Sequence, residues 1–242
     1  MKHRNDTYGV TEKKSNTVFP PAIPAATVIL LRQTKEKLQV LMLHKNPGVD
    51  FGGLWVFPGG RIDDEDFDEG DDPNVAARNA AIRETREEAG IKIDSENFVW
   101  FSHWTPPPRE GRRYSTWFFV TSTDEEHEIQ VDGEEIRSHQ WINPKEALKL
   151  HALGKIGLVP PTWVTLYTLA KFDSVKQALE QLSKRGIRYY ETHLGENSDG
   201  TRITMWAGDS GYEDWNAEKS ERTHRLIMLA SGFEFLHSAV DY

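Results

Sequence analysis

Residues 83–91 read Arg-Glu-Thr-Arg-Glu-Glu-Ala-Gly-Ile, which places three carboxylates within five positions. In a helix, Glu84 and Glu88 lie one above the other, and Glu87 lies one turn from Arg83. Like charges at this spacing destabilise a helix by roughly 0.2–0.5 kcal/mol per pair, so a cation is expected to offset the repulsion. Dense carboxylate oxygens suit a hard divalent ion such as Mg²⁺ or Mn²⁺. The alternative is a solvated, charged helix face, which most charge runs form.

The residues before this stretch predict how the helix is presented. Residues 55–61 read Trp-Val-Phe-Pro-Gly-Gly-Arg, an apolar run that ends in a glycine turn, where backbone can approach a ligand closely. Asp72 followed by Pro73 is typical of a helix N-terminus, and Gly90 fits the C-terminal cap. The sequence therefore predicts a strand, a glycine turn, an acidic loop and then a helix that carries the glutamates.

Gly60 together with residues 83–91 resembles the Nudix box, usually written G-x5-E-x7-R-E-U-x-E-E-x-G-U, in which U is a bulky aliphatic residue. The second half matches at every fixed position except the first U, which is Thr85. The first half departs, because twenty-two residues separate Gly60 from Arg83 where the pattern has thirteen, and the pattern's glutamate falls on Val75. The enlarged segment offers eight replacement carboxylates, namely Asp63, Asp64, Glu65, Asp66, Asp68, Glu69, Asp71 and Asp72.

A weaker similarity, over about residues 25–150, is to the branch with an insertion in its box that includes a coenzyme A diphosphatase. It is carried by residues 25–32, 80–85 and 112–119. The resemblance implies an α/β (α+β) fold, a Nudix-type α/β/α sandwich with a mixed β-sheet. The alternation of predicted strands and helices independently favours the same layered architecture.

Apolar runs and breakers divide the chain into three predicted parts. Residues 1–19 predict a flexible leader, 20–150 the Nudix-type domain, and 151–242 a C-terminal helical and β extension. The extension could complete the core, form a lid or mediate dimer contacts. Strands are predicted at 25–32 and 38–44 (a hairpin), 54–57, 98–104, 114–121, 136–142, 203–206, 225–229 and 233–237. Helices are predicted from 144 and at 161–172 and 174–185, and turns at 195–200 and 208–211.

Composition excludes several classes of protein. The 242 residues carry a net charge of −9, which argues against general binding to nucleic acid or an anionic membrane. The chain has no cysteine, so thiol catalysis and disulfides are excluded. No apolar stretch approaches the ~20 residues that span a bilayer. The polar N-terminus lacks the apolar region of a secretion signal, so a cytoplasmic location is expected.

The resemblance also implies roles for individual residues. Glu84, Glu87 and Glu88, with the carbonyl of Gly59, would hold the divalent ions, and Arg83 would orient the glutamates. The implied catalytic set is Arg83, Glu84, Glu87 and a general base, for which Glu135 is the first choice because it precedes the strand at 136–142. Alternatives for the base are a glutamate of the box itself or one of Glu125, Glu126, Glu128 and Glu134.

A basic loop before an aromatic strand is the candidate substrate-binding segment. Arg109, Arg112 and Arg113 are suited to gripping phosphate bidentately. The side chains available to stack on a base are Trp104, Tyr114 and Trp117. An ordinary core strand with a basic turn explains the same pattern equally well.

The predicted function is a divalent-metal-dependent hydrolase that cleaves the diphosphate bridge of a nucleoside diphosphate linked to another moiety. Conjugates of the coenzyme A, ADP-ribose or NADH type are all compatible. The alternative is a non-catalytic Nudix-fold sensor that binds such metabolites. An isomerase on this fold typically uses a catalytic cysteine, which is absent. The expected partner is a small nucleotide-type molecule, with no nucleic acid and no membrane, and a homodimer remains open.

Overall fold

The computed structural model describes residues 3–8, 19–35, 37–108, 111–123 and 128–242. The helices are α1 (Pro73–Ala89), α2 (Pro144–Ala152), α3 (Pro160–Leu169) and α4 (Val175–Arg185), and Asp64–Asp66 form a 3₁₀ turn. The strands are β1 (Ile23–Gln33), β2 (Leu38–Lys45), β3 (Trp55–Val56), β4 (Gly59–Arg61), β5 (Val99–Thr105), β6 (Tyr114–Ser122), β7 (Ile136–Ile142), β8 (Arg188–Glu191), β9 (His193–Glu196), β10 (Arg202–Met205), β11 (Arg225–Leu229) and β12 (Gly232–Leu236).

An eight-stranded mixed sheet forms the centre of the described chain. Its main path runs β3-β2-β1-β6-β5-β8, with β4 paired to β1 and β7 paired to β2. The pairs β1–β6 and β5–β8 are parallel, and the predicted hairpin between β1 and β2 is antiparallel, with Leu31 opposite Val40. Strands β9 to β12 form a second, antiparallel sheet. The predicted mixed sheet is therefore confirmed.

Helix α1 begins and ends where the sequence predicts. The Asp72 side chain accepts a hydrogen bond of 2.8 Å from the backbone N–H of Asn74. At the other end Gly90 adopts a left-handed conformation, with φ of 70°, and its N–H donates to the carbonyl of Arg86. Both ends thus satisfy backbone groups that the helix itself leaves without partners.

The two faces of β1 pack against different helices. Ala26 and Val28 contact the alanine face of α1. The alternate residues, Ile29 and Leu31, share a core cluster with side chains of α3 and α4. Because successive residues of a strand point to opposite faces, β1 contacts both helical layers. This arrangement confirms the predicted α/β/α sandwich.

The C-terminal region completes the main core. Leu166 of α3 and Leu182 of α4 belong to the same buried cluster as the strands of the mixed sheet, and Trp206 and Leu226 of the second sheet join it. Strand β8 also extends the mixed sheet beside β5. The sequence did not predict β8 or β9, and β9 occupies the first two residues of the turn predicted at 195–200.

Residues 3–8 of the predicted flexible leader are packed against the body of the protein. Asn5 is 2% exposed, and its Nδ2 donates to the carbonyl oxygens of Leu229 at 2.6 Å and Ala230 at 3.2 Å. Asp6 lies 3.7 Å from Arg202. These contacts are polar and leave no apolar period in the sequence, so the sequence did not indicate them. Within the described ranges, no helix combines the length and apolar character needed to cross a bilayer.

We predict that Asn5→Ala lowers the free energy of unfolding by about 1–3 kcal/mol, because two partly buried hydrogen bonds, each contributing about 0.5–1.5 kcal/mol, are lost. Urea unfolding followed by tryptophan fluorescence measures the loss. The control is Asn97→Ala, at an exposed position, which should change stability by less than about 0.5 kcal/mol. Equal stabilities of the two variants would show that the Asn5 side chain does not stabilise the fold.

Candidate active site

Two adjacent glycines shape the approach of β4 to its neighbours. The two glycines do not form the predicted turn but begin β4, with Gly59 opposite Thr27 and Gly60 opposite Ala26 on β1. Gly59 has φ of 153°, and a Cβ there would overlap the carbonyl oxygen of Ala26. A Cβ on Gly60 would instead overlap the carboxylate of Glu84. Gly59 thus permits the strand pairing, and Gly60 leaves room for the glutamate.

Glu88, in the last turn of α1, is a buried carboxylate joined to this strand. It is 2% exposed, and its Oε2 accepts a hydrogen bond of 2.9 Å from the backbone N–H of Gly59. Its other oxygen, Oε1, lies 3.3 Å from Lys45 Nζ without the alignment of a hydrogen bond. Burial raises the pKa of Glu88 to about 7, although Lys45 and the Gly59 N–H act in the opposite direction.

Arg83 contacts the two other box glutamates, as predicted. Its Nη1 donates to Glu84 Oε1 at 2.9 Å and to Glu87 Oε2 at 3.3 Å. The Glu84 side chain is 14% exposed and borders the cleft, whereas that of Glu87 is 58% exposed. Burial raises the pKa of Glu84, against the effect of Arg83. The carboxylates therefore differ, since Glu84 faces the cleft and Glu87 lies in a shallow surface depression beside α1.

The acidic insertion supplies a buried partner for Arg83. Asp66 is 4% exposed and accepts two parallel hydrogen bonds from the guanidinium, at 3.0 Å from Nε and 2.8 Å from Nη2. The backbone N–H of Asp63 donates to the same carboxylate at 2.8 Å. Asn79 Nδ2 donates to the Asp66 carbonyl at 2.9 Å. The 3₁₀ turn is thus fastened to α1.

This contact explains how the box departs from its usual pattern. Val75, Asn79 and Arg83 lie at successive four-residue steps, on one stripe of α1. The 3₁₀ turn covers that stripe and brings Asp66 to the arginine. Other acidic residues of the insertion, such as Glu69, Asp71 and Asp72, are exposed. The sequence does not show this difference, so it could not single out Asp66 among the eight acidic residues. Thr85, the other departure from the pattern, is buried. Its hydroxyl group is satisfied there, because it donates a hydrogen bond of 2.7 Å to the Ala81 carbonyl.

A cleft of about 610 Å³ opens beside these groups. Its walls include the two glycines, Glu84, Lys45 and Glu135. Arg112, Arg113 and Tyr114 also border it, and the C-terminal region contributes Pro160 and Thr192. Glu135, predicted from its place before β7, thus borders the same cleft as Glu84. Its alternatives Glu128 and Glu134 are exposed, and Glu125 and Glu126 lie outside the described residues.

Lys45 is the site residue that the sequence did not reveal. It ends β2, is 7% exposed, and its Nζ forms ion pairs with both Glu88 and Glu135. Burial acts to lower the pKa of Lys45, but the two carboxylates outweigh it and the pKa is raised. The available signal was a lysine directly after the predicted apolar strand at 38–44, although lysines at such positions are usually solvated.

The model of the NUDIX domain family matches residues 21–160 of the chain. The chain belongs to the Nudix family. A Caenorhabditis elegans protein named "Putative nudix hydrolase 7" is 28% identical over 188 residues, which are 63% of this chain and 61% of that protein. "Acyl-coenzyme A diphosphatase NUDT19" of Gallus gallus is 31% identical over 131 residues, which are 49% of this chain and 34% of that protein. The matches therefore cover less than two thirds of either relative.

A solved Nudix hydrolase structure, from Alicyclobacillus acidocaldarius, confirms the fold. It superposes with a TM-score of 0.58 at 20% sequence identity, covering 66% of this chain and 96% of that one. At this sequence identity, the likeness concerns only the arrangement of helices and strands.

The predicted phosphate-binding arginines of this Nudix domain have different environments. Arg112 is exposed at the edge of the cleft, 3.8 Å from Asp50, which also accepts a hydrogen bond of 2.8 Å from the Tyr114 hydroxyl. Arg113 donates to backbone carbonyls, those of Pro20 at 3.3 Å and Pro106 at 3.2 Å. Arg112 is therefore placed to meet a ligand, whereas Arg113 fixes the loop. Arg109 lies outside the described residues.

Two of the three aromatic side chains predicted to stack on a base have other roles. Trp104 borders the cleft, but it is 3% exposed and its ring already stacks on Tyr190, with ring centroids 3.7 Å apart. Thr116 and Phe118 border the cleft, so Trp117 between them points to the opposite face, where it contacts His103. Of the three, Tyr114 remains available to a ligand.

The oxygen donors of this site fit a hard divalent cation. Among the described residues, no three His, Asp or Glu side chains are already spaced as a metal site. The carboxylates of the site form ion pairs instead: Glu84 with Arg83, and Glu88 and Glu135 with Lys45. The buried Glu88 Oε1 accepts no hydrogen bond, and Glu84, Glu135 and the Gly59 carbonyl supply further hard oxygen donors nearby. A group of this chemistry suits Mg²⁺ or Mn²⁺.

We predict that alanine at the two glycines gives different defects. Gly59→Ala should lower stability by about 1–3 kcal/mol from backbone strain alone, with a further loss from the backbone overlap. Gly60→Ala should keep near-parental stability, because the Glu84 side chain can move aside. Its displacement should weaken Mn²⁺ binding roughly 10–100-fold. Thermal unfolding and Mn²⁺ titration measure the two effects, and the same pattern in both variants would contradict the assignment.

Proposed function

We propose that this Nudix protein is a divalent-metal-dependent hydrolase that cleaves the diphosphate bridge of a nucleoside diphosphate linked to another moiety. The observation that carries the proposal is the buried Glu88 carboxylate. One of its oxygens accepts a hydrogen bond from the Gly59 N–H, and the other lies 3.3 Å from the Lys45 ammonium. A buried carboxylate whose pKa is strongly raised, at the side of a cleft, is a candidate functional group.

Each side chain of the site has a proposed task. Glu84, Glu87, Glu88 and the Gly59 carbonyl are the proposed metal ligands, although Glu87 is turned away from the cleft and has to rotate inward. Bound Mg²⁺ or Mn²⁺ would neutralise phosphate charge and lower the pKa of a bound water. Arg83 holds Glu84 in place through its contacts with Asp66.

Glu135 is the proposed general base. It borders the cleft and forms an ion pair with Lys45, so its carboxylate is held where it could accept a proton from water. Glu84, whose pKa burial raises, is the alternative among the box glutamates. Arg112 and Tyr114, which also border the cleft, would contact the phosphate or nucleoside portion.

The size and the lining of the cleft support the proposed class of substrate. Its volume of about 610 Å³ is that of a site for a nucleotide-sized ligand, and its walls include both carboxylates and an arginine. The chicken relative named as an acyl-coenzyme A diphosphatase supports a conjugate of the coenzyme A type. Conjugates of the ADP-ribose and NADH types have the same diphosphate bridge and belong in the same test.

The test is hydrolysis of these compounds with Mg²⁺ or Mn²⁺ in H₂¹⁸O. Attack on phosphorus should give two monophosphate products, one of them labelled on phosphorus. We predict that Glu88→Gln, which keeps the volume but removes a charged ligand, loses more activity than the roughly 10–100-fold typical of a lost supporting contact. Mass spectrometry and circular dichroism measure the products and the fold.

Several results would overturn the proposal. These are undiminished turnover in EDTA, label on a sugar carbon, or orthophosphate as the sole phosphorus product. Full activity of Glu88→Gln would remove this residue from the site. Tight binding of the conjugates without cleavage in the presence of metal would instead establish a metabolite sensor.

We predict that Asp66 takes over the support of Arg83 in the enlarged box. Asp66→Asn keeps the shape but loses the charge, so hydrolysis should fall roughly 10–100-fold. The matched control is the triple variant Glu69→Gln, Asp71→Asn and Asp72→Asn, which changes exposed positions of the same insertion and keeps a good helix cap at residue 72. Steady-state kinetics compare the two proteins. A larger loss in the triple variant would assign the role to the exposed acidic residues instead.

A further inference from the structure

We propose that Lys45 takes the place of one divalent cation in the cleft, and so limits the number of metal ions that the protein binds. The inference rests on the metal dependence proposed above and concerns a residue outside the box. Lys45 Nζ contacts Glu88 Oε1 at 3.3 Å and also forms an ion pair with Glu135. One ammonium group thus joins a carboxylate of α1 to a carboxylate from the segment that leads into β7.

The lysine is held in this position by its surroundings. Its backbone N–H donates to the Leu54 carbonyl at 3.1 Å, and its own carbonyl accepts from the Gly53 N–H at 3.1 Å. The side chain is only 8% exposed. A surface lysine can swing away when a metal ion arrives, but the Lys45 ammonium is enclosed and paired on two sides. Its charge is therefore a fixed part of the site.

The balance of charge shows what this cation does. Glu88 and Glu135, the two carboxylates that Lys45 contacts, bring two negative charges when ionised, and Lys45 places one positive charge between them. A second ion would have to compete with Lys45 for the same carboxylate oxygens, at a distance where like charges repel strongly.

Removal of the lysine charge should therefore admit another ion. Methionine has a similar length and no charge, so Lys45→Met tests the charge with little change in volume. We expect this variant to bind one more Mn²⁺ per chain than the parent, measured by the electron paramagnetic resonance signal of free Mn²⁺ and by calorimetry. Lys45→Arg, which keeps the charge, should bind as the parent does. Lys149→Met makes the same chemical change on the exposed side of α2 and should leave binding unaltered.

Equal stoichiometry in the parent and Lys45→Met, or weaker binding in the variant, would overturn the inference. Loss of the buried cation can also impair folding without metal, so near-ultraviolet circular dichroism is recorded with EDTA and with Mn²⁺ for Lys45→Met and for Lys45→Gln. Restoration of the native spectrum by Mn²⁺ supports the inference. Failure of Mn²⁺ to restore either variant overturns it, because an ion must be able to replace the lysine.

The same measurements separate this inference from the proposed function. A parent protein that binds no Mn²⁺ and cleaves no conjugate would contradict both. A parent that binds Mn²⁺ and hydrolyses its substrate, with an unchanged ion count in Lys45→Met, would contradict only the role given to Lys45.

Discussion

The contact between the alanine face of α1 and β1 determines where every group of the site lies. Ala77, Ala80 and Ala81 have side chains short enough for the helix to approach the sheet closely. The same β1 residues pair with the glycine strand β4, so helix and glycines are both positioned from one strand. Glu88 can reach the Gly59 N–H only because of this closeness. Larger residues on this face would separate the carboxylates from the backbone that they contact.

Once α1 is in place, the main physical problem is the cost of buried negative charge. Burial raises the pKa of both Glu84 and Glu88, which shows that their surroundings disfavour the ionised forms. The protein offsets this cost with two cations of different geometry. Arg83 binds through a planar fork, which Asp66 matches, whereas Lys45 acts as a compact charge between two carboxylates. The site is therefore already partly neutralised by the protein's own side chains.

Local signals in the sequence account for much of the fold and part of the site. The ends of α1 follow from Asp72, Pro73 and Gly90, since capping depends on neighbouring residues. The β1–β2 hairpin and the place of Glu135 before β7 are likewise readable from the chain. Asp66 could not be singled out among eight acidic candidates and Lys45 was not found, because their roles depend on partners 17 and 43 or more residues away. Trp117 was misplaced since one step along a strand changes the face that a side chain occupies.

The enlarged box shows which part of the pattern is physically necessary. Arg83 requires a carboxylate that can accept two parallel hydrogen bonds, and this requirement concerns the geometry of the carboxylate and not its place in the sequence. A helix can present such a group from its own preceding turns, on the stripe that here contains Val75. A loop can present it equally well if it is fixed to the same stripe, as the Asn79 contact and the 3₁₀ turn fix Asp66. A carboxylate from a loop also makes the support of Arg83 depend on the folding of the insertion.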